Sequence, residues 1–299
     1  MNYSPVIRLS TSGLTWLLCF ISGPAVWAGE DINQTKAVDP TGTVKIHNPR
    51  GDLEIHGWDR AEVQIDGDVD DLAETVRFEV EGKITLIHIA LPTKNVNWGD
   101  GSDLDIYIPH ASGLHIDGVS TNIEVEDISG TIAIRTVGGD IEVSATSGRI
   151  QIETVSGDVD VNNSTGKLSV VTTSGNLDLE VDASDVFVDT MSGDVDLQLG
   201  AFDRLTAESI NGALKLAGQL NPTGSIHAKT VNADISLELT KPVNAQIRAT
   251  AIASGDISYS LTDDRPKHLS SRQTVLNAVA GDGSAQITLN TISGSIEIE

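Results

Sequence analysis

The sequence is poor in basic side chains and in aromatic rings. Its 299 residues include 43 Asp and Glu but only 19 Lys and Arg, which gives a formal net charge of −24. Phosphate is bound by clustered Lys and Arg, so this deficit argues against nucleic acid and against an anionic membrane surface as partners. Because aromatic residues make up only 4% of the chain, its hydrophobic core must be aliphatic.

The first 28 residues have the pattern of a signal peptide. Arg8 precedes an apolar stretch at residues 14–21, and Val26 and Ala28 fit the −3 and −1 positions of a signal-peptidase site. The stretch is too short to span a bilayer, although an uncleaved N-terminal anchor is the alternative. Cleavage after Ala28 would remove Cys19, the only cysteine, and with it any disulfide or thiol chemistry. No later segment could span a membrane as an apolar helix, so we predict a periplasmic or extracellular protein.

A short phrase recurs from residue 127 onward, in which a turn ending in Gly precedes alternating apolar and polar residues. Such alternation is typical of strands, and Gly permits a turn with positive φ. The glycines recur every nine residues, at Gly130, Gly139, Gly148, Gly157, Gly166 and Gly175. The residue three before Gly is Thr only in every second unit, so the true period is eighteen; these are Thr136, Thr154, Thr172 and Thr190.

This pattern predicts an all-β fold, a parallel β-solenoid with about 18-residue coils and at least two short strands per coil. Successive coils would stack about 4.8 Å apart with Ile, Val and Leu pointing inward. An antiparallel meander of nine-residue units is the alternative, but it gives no reason for the equivalence at eighteen residues.

We divide the chain into four segments. Residues 1–28 are the signal peptide, 29–42 a polar linker, 43–109 an N-terminal β cap region and 110–299 the β-solenoid repeats, continuous with the cap. A cap is expected because an open solenoid end exposes unpaired strand edges. The final repeat, residues 296–299, is expected to leave such an edge open for a partner strand.

The order of these motifs resembles a known family. A β-turn-β that contains Asn48-Pro49-Arg50-Gly51-Asp52-Leu53 comes first, then Gly57-Trp58-Asp59, a strand ending in Pro109, and repeated Ser-Gly-Asp-Val or Ser-Gly-Asp-Ile units. This is similar to exported bacterial β-strand-repeat proteins of unknown function that carry the label "putative adhesin". The resemblance covers about residues 43–299 and implies adhesion, but it supplies no catalytic residues to carry over.

Carboxylates are the most distinctive chemistry of the repeats. With eighteen residues per coil, two outward columns form on one face, of which the first holds Asp140, Asp158, Asn176 and Asp194 and the second Glu142, Asp160, Asp178 and Asp196. Like charges one strand apart repel, so this face should attract divalent cations or simply be solvated. Ca²⁺ needs six to eight converging oxygens, which flat columns do not supply. We therefore predict no cofactor, with Ca²⁺ on these carboxylates as the alternative.

An enzyme is the less favoured interpretation. A β-helical polysaccharide-acting enzyme would need a distinct carboxylate pair and aromatic subsites, whereas these carboxylates are periodic and the aromatics form no stripe at coil spacing. Seven His are scattered along the chain, and His47 and His56 flank one predicted turn, across which they could face each other. Two His without a third ligand are more often surface residues than a zinc site.

Three residues outside the repeats are candidates for binding a partner. Trp98 lies in a predicted polar loop, where it would either bind a ligand or fold back on the solenoid end. Arg265 and Lys267 belong to the one basic cluster of an acidic chain, which either balances local charge or docks on the acidic face of another copy.

The predicted function is that of an exported, non-enzymatic, adhesin-like scaffold or binding surface in the cell envelope. Its partner would be a protein or another envelope component, and self-association through the solenoid ends is a further expectation. A divalent-cation-dependent binding module is the alternative.

Overall fold

The computed structural model describes residues 31–92, 101–253 and 255–299, and these residues form strands and turns without a helix. Among them, therefore, no helix exists that could cross a membrane. The strands are β1 (Asp31–Ala37), β2 (Thr43–Trp58), β3 (Glu62–Asp68), β4 (Thr75–Glu81), β5 (Ile84–Ala90), β6 (Ser102–Pro109), β7 (Gly113–Glu126), β8 (Ile132–Arg135), β9 (Ile141–Ser144), β10 (Ser147–Thr154), β11 (Val159–Ser174), β12 (Leu177–Ser192), β13 (Val195–Ser209), β14 (Leu214–Thr230), β15 (Ile235–Leu239), β16 (Ala245–Ile252), β17 (Ile257–Tyr259), β18 (Lys267–Ser270), β19 (Gln273–Ala280), β20 (Ala285–Thr291) and β21 (Ile296–Ile298).

The repeats form a parallel β-solenoid, as the sequence predicts. Residues eighteen apart pair in register, for example Asp160 with Asp178 and Gln151 with Ser169. Each coil contributes one strand to each of two parallel sheets. We call the outer surface of the sheet that contains β9 face A, and the outer surface of the sheet that contains β8 face B.

The core between the two sheets is aliphatic. Ile152 and Val170 of one sheet and Val161 and Leu179 of the other are fully buried, and their neighbours in sequence point outward. This follows from the period of two along a strand, which sends alternate side chains to opposite faces.

One corner of the middle coils depends on glycine. Gly157 has a φ of +113°, and a Cβ on it would lie 2.1 Å from the carbonyl oxygen of Gly139 in the preceding coil. Any other residue would push the coils apart, which explains why glycine recurs here. The buried Thr154, three residues earlier, closes the corner by donating a hydrogen bond from Oγ1 to the carbonyl oxygen of Ser156 at 3.0 Å.

At the N-terminal end, the first coil in sequence is not the first coil in space. β2 pairs with β7 in parallel, and β5 and β6 then pair with the other edge of β2, so the coil that they form lies outside it. The antiparallel strands β4 and β3 cover β5 and β6. Residues 31–37, assigned above to a polar linker, instead form β1, because they pair antiparallel with β3.

At the C-terminal end, too, the order of the strands in space differs from their order in sequence. β21 pairs in parallel with β15 on one edge and with β17 on the other, and β20 lies likewise between β14 and β16. The prediction of an open edge at residues 296–299 is therefore wrong, since β21 has a neighbour on both sides. The antiparallel β19 covers β16, and β18 covers the start of β19.

Candidate functional site on face A

The predicted acidic columns stand on face A, and the structure separates them into two kinds. The first, which we call the turn column, consists of Asn122, Asp140, Asp158, Asn176 and Asp194 at the start of each strand. Each side-chain oxygen accepts a hydrogen bond from the backbone N–H one coil further on. Asp140 Oδ1, for example, accepts from the N–H of Asp158 at 2.9 Å. These side chains therefore satisfy the backbone of the corner, and Asn serves as well as Asp because both offer a carbonyl-type oxygen.

The second column, which we call the carboxylate column, has no such role. It begins in the outer N-terminal coil and continues through seven successive strands: Asp105, Glu54, Glu124, Glu142, Asp160, Asp178 and Asp196. Among the described residues, a histidine or lysine contacts it only near its ends, where His56 lies 3.9 Å from Glu54 and Lys215 lies 3.8 Å from Asp196. The members between these ends form a continuous row of carboxylates with no basic side chain in contact in the described part of the chain.

Burial, and after it repulsion within the column, raises the pKa of two of its members. Burial, and then the charges of Asp178 and Glu142, raise the pKa of Asp160 above its ordinary value. Burial, and then Asp105 and Glu124, raise the pKa of Glu54. Both groups would be stabilised by a positive charge brought to face A, because an opposite charge favours the ionised form.

The N-terminal part of face A is concave. A groove of about 290 Å³ runs across four coils there and is lined by both columns, from Asp52 and Glu54 to Asp158 and Asp160. At its edge, ligand atoms of Glu54, His56 and Asp105 lie within 4.8 Å of one another, close enough to share a metal ion. The groove therefore offers carboxylates to a cationic group that contacts several coils at once.

The His residues do not meet as the sequence suggested. His47 lies on the other sheet and packs edge-on against His88, with ring centroids 4.7 Å apart. His56 instead lies on face A beside Tyr107, with ring centroids 5.2 Å apart.

Face B carries charges of both signs, and several of them are paired. Arg135 Nε lies 3.1 Å from Glu153 Oε2. Asp185 is shared by Lys167 at 3.3 Å and Arg204 at 3.5 Å. The two faces therefore differ: face A carries an unbroken row of seven carboxylates, whereas on face B carboxylates are interspersed with Arg and Lys and several of them pair.

The remaining candidates lie elsewhere. Trp98 falls outside the described residues. Lys267 lies on β18 and Arg265 just before it, at the C-terminal end of the fold, and both are exposed. The carboxylate column ends near Lys215 in β14, so the basic cluster of the same chain does not belong to it.

Sequence reasoning missed the first three members of the carboxylate column, Asp105, Glu54 and Glu124. All three precede the recurrent glycine phrase that begins at residue 127. Glu54 and Asp105 also pair across the segment from β3 to β6, which breaks the period of eighteen, whereas Glu124 lies eighteen residues before Glu142 and was within its reach. The alternation in Asp52-Leu53-Glu54-Ile55 and Asn122-Ile123-Glu124-Val125 matches that in Asp140-Ile141-Glu142-Val143, and this was the available signal.

The family called Toastrack DUF4097 matches this chain over residues 40–187 and 162–299. Among curated proteins, none matches the chain in sequence.

Several solved structures are similar over most of their length. A "putative adhesin" from Bacteroides fragilis NCTC 9343 is 13% identical and covers 90% of this chain and 97% of its own, with a TM-score of 0.41. A "putative adhesin" from Parabacteroides distasonis ATCC 8503 is 12% identical over 91% and 98%, with a TM-score of 0.36. At these identities and TM-scores, the likeness says nothing about what this chain binds. Neither the family nor these structures is named as an enzyme.

Proposed function

This chain belongs to the Toastrack DUF4097 family, and with that premise we propose that it is an exported, non-enzymatic, adhesin-like scaffold. Face A is its binding surface, and the partner is a positively charged component of the cell envelope. The observation that carries this proposal is the carboxylate column, a row of seven carboxylates in which only Glu54 and Asp196, near its ends, have a basic side chain in contact among the described residues.

The contrast with face B supports the choice of surface. The fold requires only that outward positions be tolerant of water, and face B meets this requirement with paired charges. A row of like charges on neighbouring strands destabilises the sheet. Such a row is useful when a cationic partner arrives, because the potential of the column steers and holds it.

The periodicity of the carboxylates supports a non-enzymatic role. A glycosidase needs one pair of carboxyl groups with distinct environments, one acid and one nucleophile or base. In the carboxylate column, Glu54 and Asp160 lie in different coils and share the same cause of their raised pKa, which is burial beside like charges.

The test compares two variants with equal changes in charge. The face A variant is Glu124→Gln/Glu142→Gln/Asp178→Asn, and the face B variant is Asp117→Asn/Glu153→Gln/Asp185→Asn, whose three carboxylates each lie within 4 Å of a histidine, arginine or lysine. Binding to immobilised poly-L-lysine is measured by surface plasmon resonance at about 0.15 M salt. We expect the face A variant to bind at least tenfold more weakly than the wild type, and the face B variant to stay within twofold. Equal losses in both variants would mean that only net charge matters, and would overturn the assignment to face A.

Export is tested separately. Mass spectrometry of the protein secreted by a bacterial host should give a mature N-terminus at Gly29, whereas an intact residue 1 would contradict cleavage after Ala28.

A second candidate function, divalent-cation-dependent binding, rests on the cluster of Glu54, His56 and Asp105. A histidine and two carboxylates suit Zn²⁺ better than Ca²⁺. Zn²⁺ at about 0.1 mM should then raise the melting temperature of the wild type but not of His56→Gln, since binding to the native state stabilises it. Equal shifts with Zn²⁺, Ca²⁺ and Mg²⁺ would mean charge screening only and would exclude the site.

A further inference from the structure

An exposed row of apolar side chains runs along the corner where each coil passes from face B to face A. Most of its members directly follow the buried Thr or Ser of the corner, and hydrogen bonds join their coils in sequence, such as that from the N–H of Ser156 to the carbonyl oxygen of Val137 at 3.0 Å. We call this row the apolar ridge: Val119, Val137, Val155, Thr173, Met191, Ile210, Val231 and Ile292.

The side chains of the apolar ridge are well exposed. Val119, Val137, Val155, Met191, Ile210 and Ile292 each leave between 41 and 51% of their surface in water. Exposed apolar residues are ordinary when they are scattered, but a contiguous row of them marks an interaction site. At about 4.8 Å per coil, the eight positions form a stripe about 34 Å long.

The fold does not require these residues to be apolar. At seven of the eight positions the preceding residue is a buried Thr or Ser that fills the inward side of the corner, so the next side chain points outward. Thr173 occupies the same position in its coil as Val155 and Met191 do in theirs, and it too is exposed. A polar residue is thus compatible with the corner, and the apolar choice at the other seven positions needs another explanation.

The two flanks of the apolar ridge differ in charge. On face A, the turn column follows it by three residues and the carboxylate column by five, so negative charge accompanies the stripe over most of its length. On face B, the positions two residues before the ridge alternate in character, with Arg135, Glu153, Val171 and Asp189 in successive coils. A partner that fits therefore has an apolar stripe with positive charge along one side.

We propose that the apolar ridge and the carboxylate column together form a docking surface for a basic amphipathic helix of a partner polypeptide. This inference rests on the proposed function of face A and names the class of its partner. A helix repeats every 5.4 Å, close to the spacing of the coils, and about 22 residues of helix would span the ridge. A second copy of this chain does not fit, because its net charge is −24 and its own ridge is flanked by carboxylates. An anionic membrane is repelled for the same reason.

The experiment uses a designed 22-residue peptide of Leu and Lys with a single apolar stripe, and a second peptide of the same composition in scrambled order. The ridge variant is Val137→Thr/Val155→Thr/Met191→Thr, which copies the residue found at Thr173 and so preserves the fold. Its matched control is Ile84→Thr/Leu269→Thr/Val279→Thr, which removes apolar side chains that are equally exposed elsewhere, between 45 and 64%. Dissociation constants are measured by fluorescence anisotropy with both peptides.

We expect the amphipathic peptide to bind the wild type at least tenfold more tightly than the scrambled peptide. The ridge variant should lose at least tenfold in affinity, and its control should stay within twofold. If the ridge variant binds like the wild type while the face A variant loses affinity, the apolar ridge is not part of the surface and only the proposed function survives. If neither variant loses affinity, both fail. Equal affinity for the two peptides also overturns the inference.

Discussion

Face A and face B are built from the same repeats around the same aliphatic core, yet they treat charge in opposite ways. On face B, several carboxylates pair with cations of neighbouring coils, as Asp185 does with Lys167 at 3.3 Å and with Arg204 at 3.5 Å. On face A, Glu124, Glu142 and Asp178 belong to a row without a cation beside them among the described residues. The fold therefore determines the positions of the outward side chains but not their charge, so the charge of one face can be suited to a binding partner.

A third charge environment lies between β3 and β4, in the segment that caps the N-terminal end of the solenoid. Asp70 is 1% exposed and receives a hydrogen bond from Arg50 Nη2 at 2.9 Å, and its Oδ1 also accepts from the N–H of Leu72 at 2.8 Å. The hydrogen bond from Arg50 is the main reason that the pKa of Asp70 is lowered. Among the described residues, charge is therefore paired at the buried Asp70, paired in part on face B and left as an unbroken row of carboxylates along face A.

The largest effect is expected from breaking the buried pair. Asp70→Asn keeps the shape of the side chain and its bond to Leu72 but leaves Arg50 without its carboxylate. We expect a loss of about 3 kcal/mol in the free energy of unfolding, as for other buried ion pairs that lose one partner. The measurement is urea denaturation at pH 7, with Glu142→Gln on face A as the control. A loss of the same size in that control would contradict the distinction between paired and unpaired carboxylates.

On face A, by contrast, we expect a substitution to raise the free energy of unfolding. The face A variant removes three like charges from neighbouring strands, so its free energy of unfolding should rise by about 1 kcal/mol at low salt. The face B variant removes the partner of Arg135 and should gain nothing. If both variants gain equally, the gain reflects the net charge of the molecule and not the carboxylate column.

A dependence on pH should follow from the raised pKa values of Glu54 and Asp160. A carboxyl group whose folded pKa lies above its unfolded pKa binds protons more tightly in the folded state. Its contribution to stability is full below the ordinary value near 4 and is lost as the pH rises through the raised folded value. Asp70, whose pKa is lowered, stays ionised over the same window.

We therefore expect the column to contribute more to stability at about pH 5 than at pH 7. The measurement compares the urea midpoints of the wild type and the face A variant at pH 5 and at pH 7. It isolates the contribution of the column, because the variant lacks the charges of Glu124, Glu142 and Asp178, which help to raise the pKa of Glu54 and Asp160. The difference between wild type and variant should shrink on acidification. A difference independent of pH would show that repulsion in the column is fully screened.

The fold was predictable because neighbouring coils are also neighbours in sequence through the middle of the chain. There the period of eighteen gives the register of Asp160 with Asp178 directly. At both ends this link fails, since Glu54 pairs with Glu124 across an excursion and β21 inserts between β15 and β17. The sequence pattern of a repeat unit indicates that its strand pairs with neighbouring strands, but it does not identify those strands.

The site was predictable only in part, for a related reason. Asp158 and Asp160 are alike in sequence, and only the hydrogen bond from the N–H of Asn176 to Asp158 Oδ1, at 2.7 Å, separates the structural carboxylate from the one available to a partner. β1 was missed because it buries one apolar residue, Ile32, and owes its conformation to pairing with β3. Such pairing leaves no hydrophobic pattern for the sequence to reveal.

The smallest effect is expected on face B, where Arg135→Gln breaks the exposed pair with Glu153. Both side chains are more than half exposed, so water and salt already weaken their attraction. We expect a slight loss of stability that disappears in about 1 M NaCl. Arg149→Gln is the matched control, because Arg149 stands beside the like charge of Lys167 and its removal should cost nothing. A larger loss in the control than in Arg135→Gln would mean that face B is stabilised by the packing of its long side chains and not by paired charge.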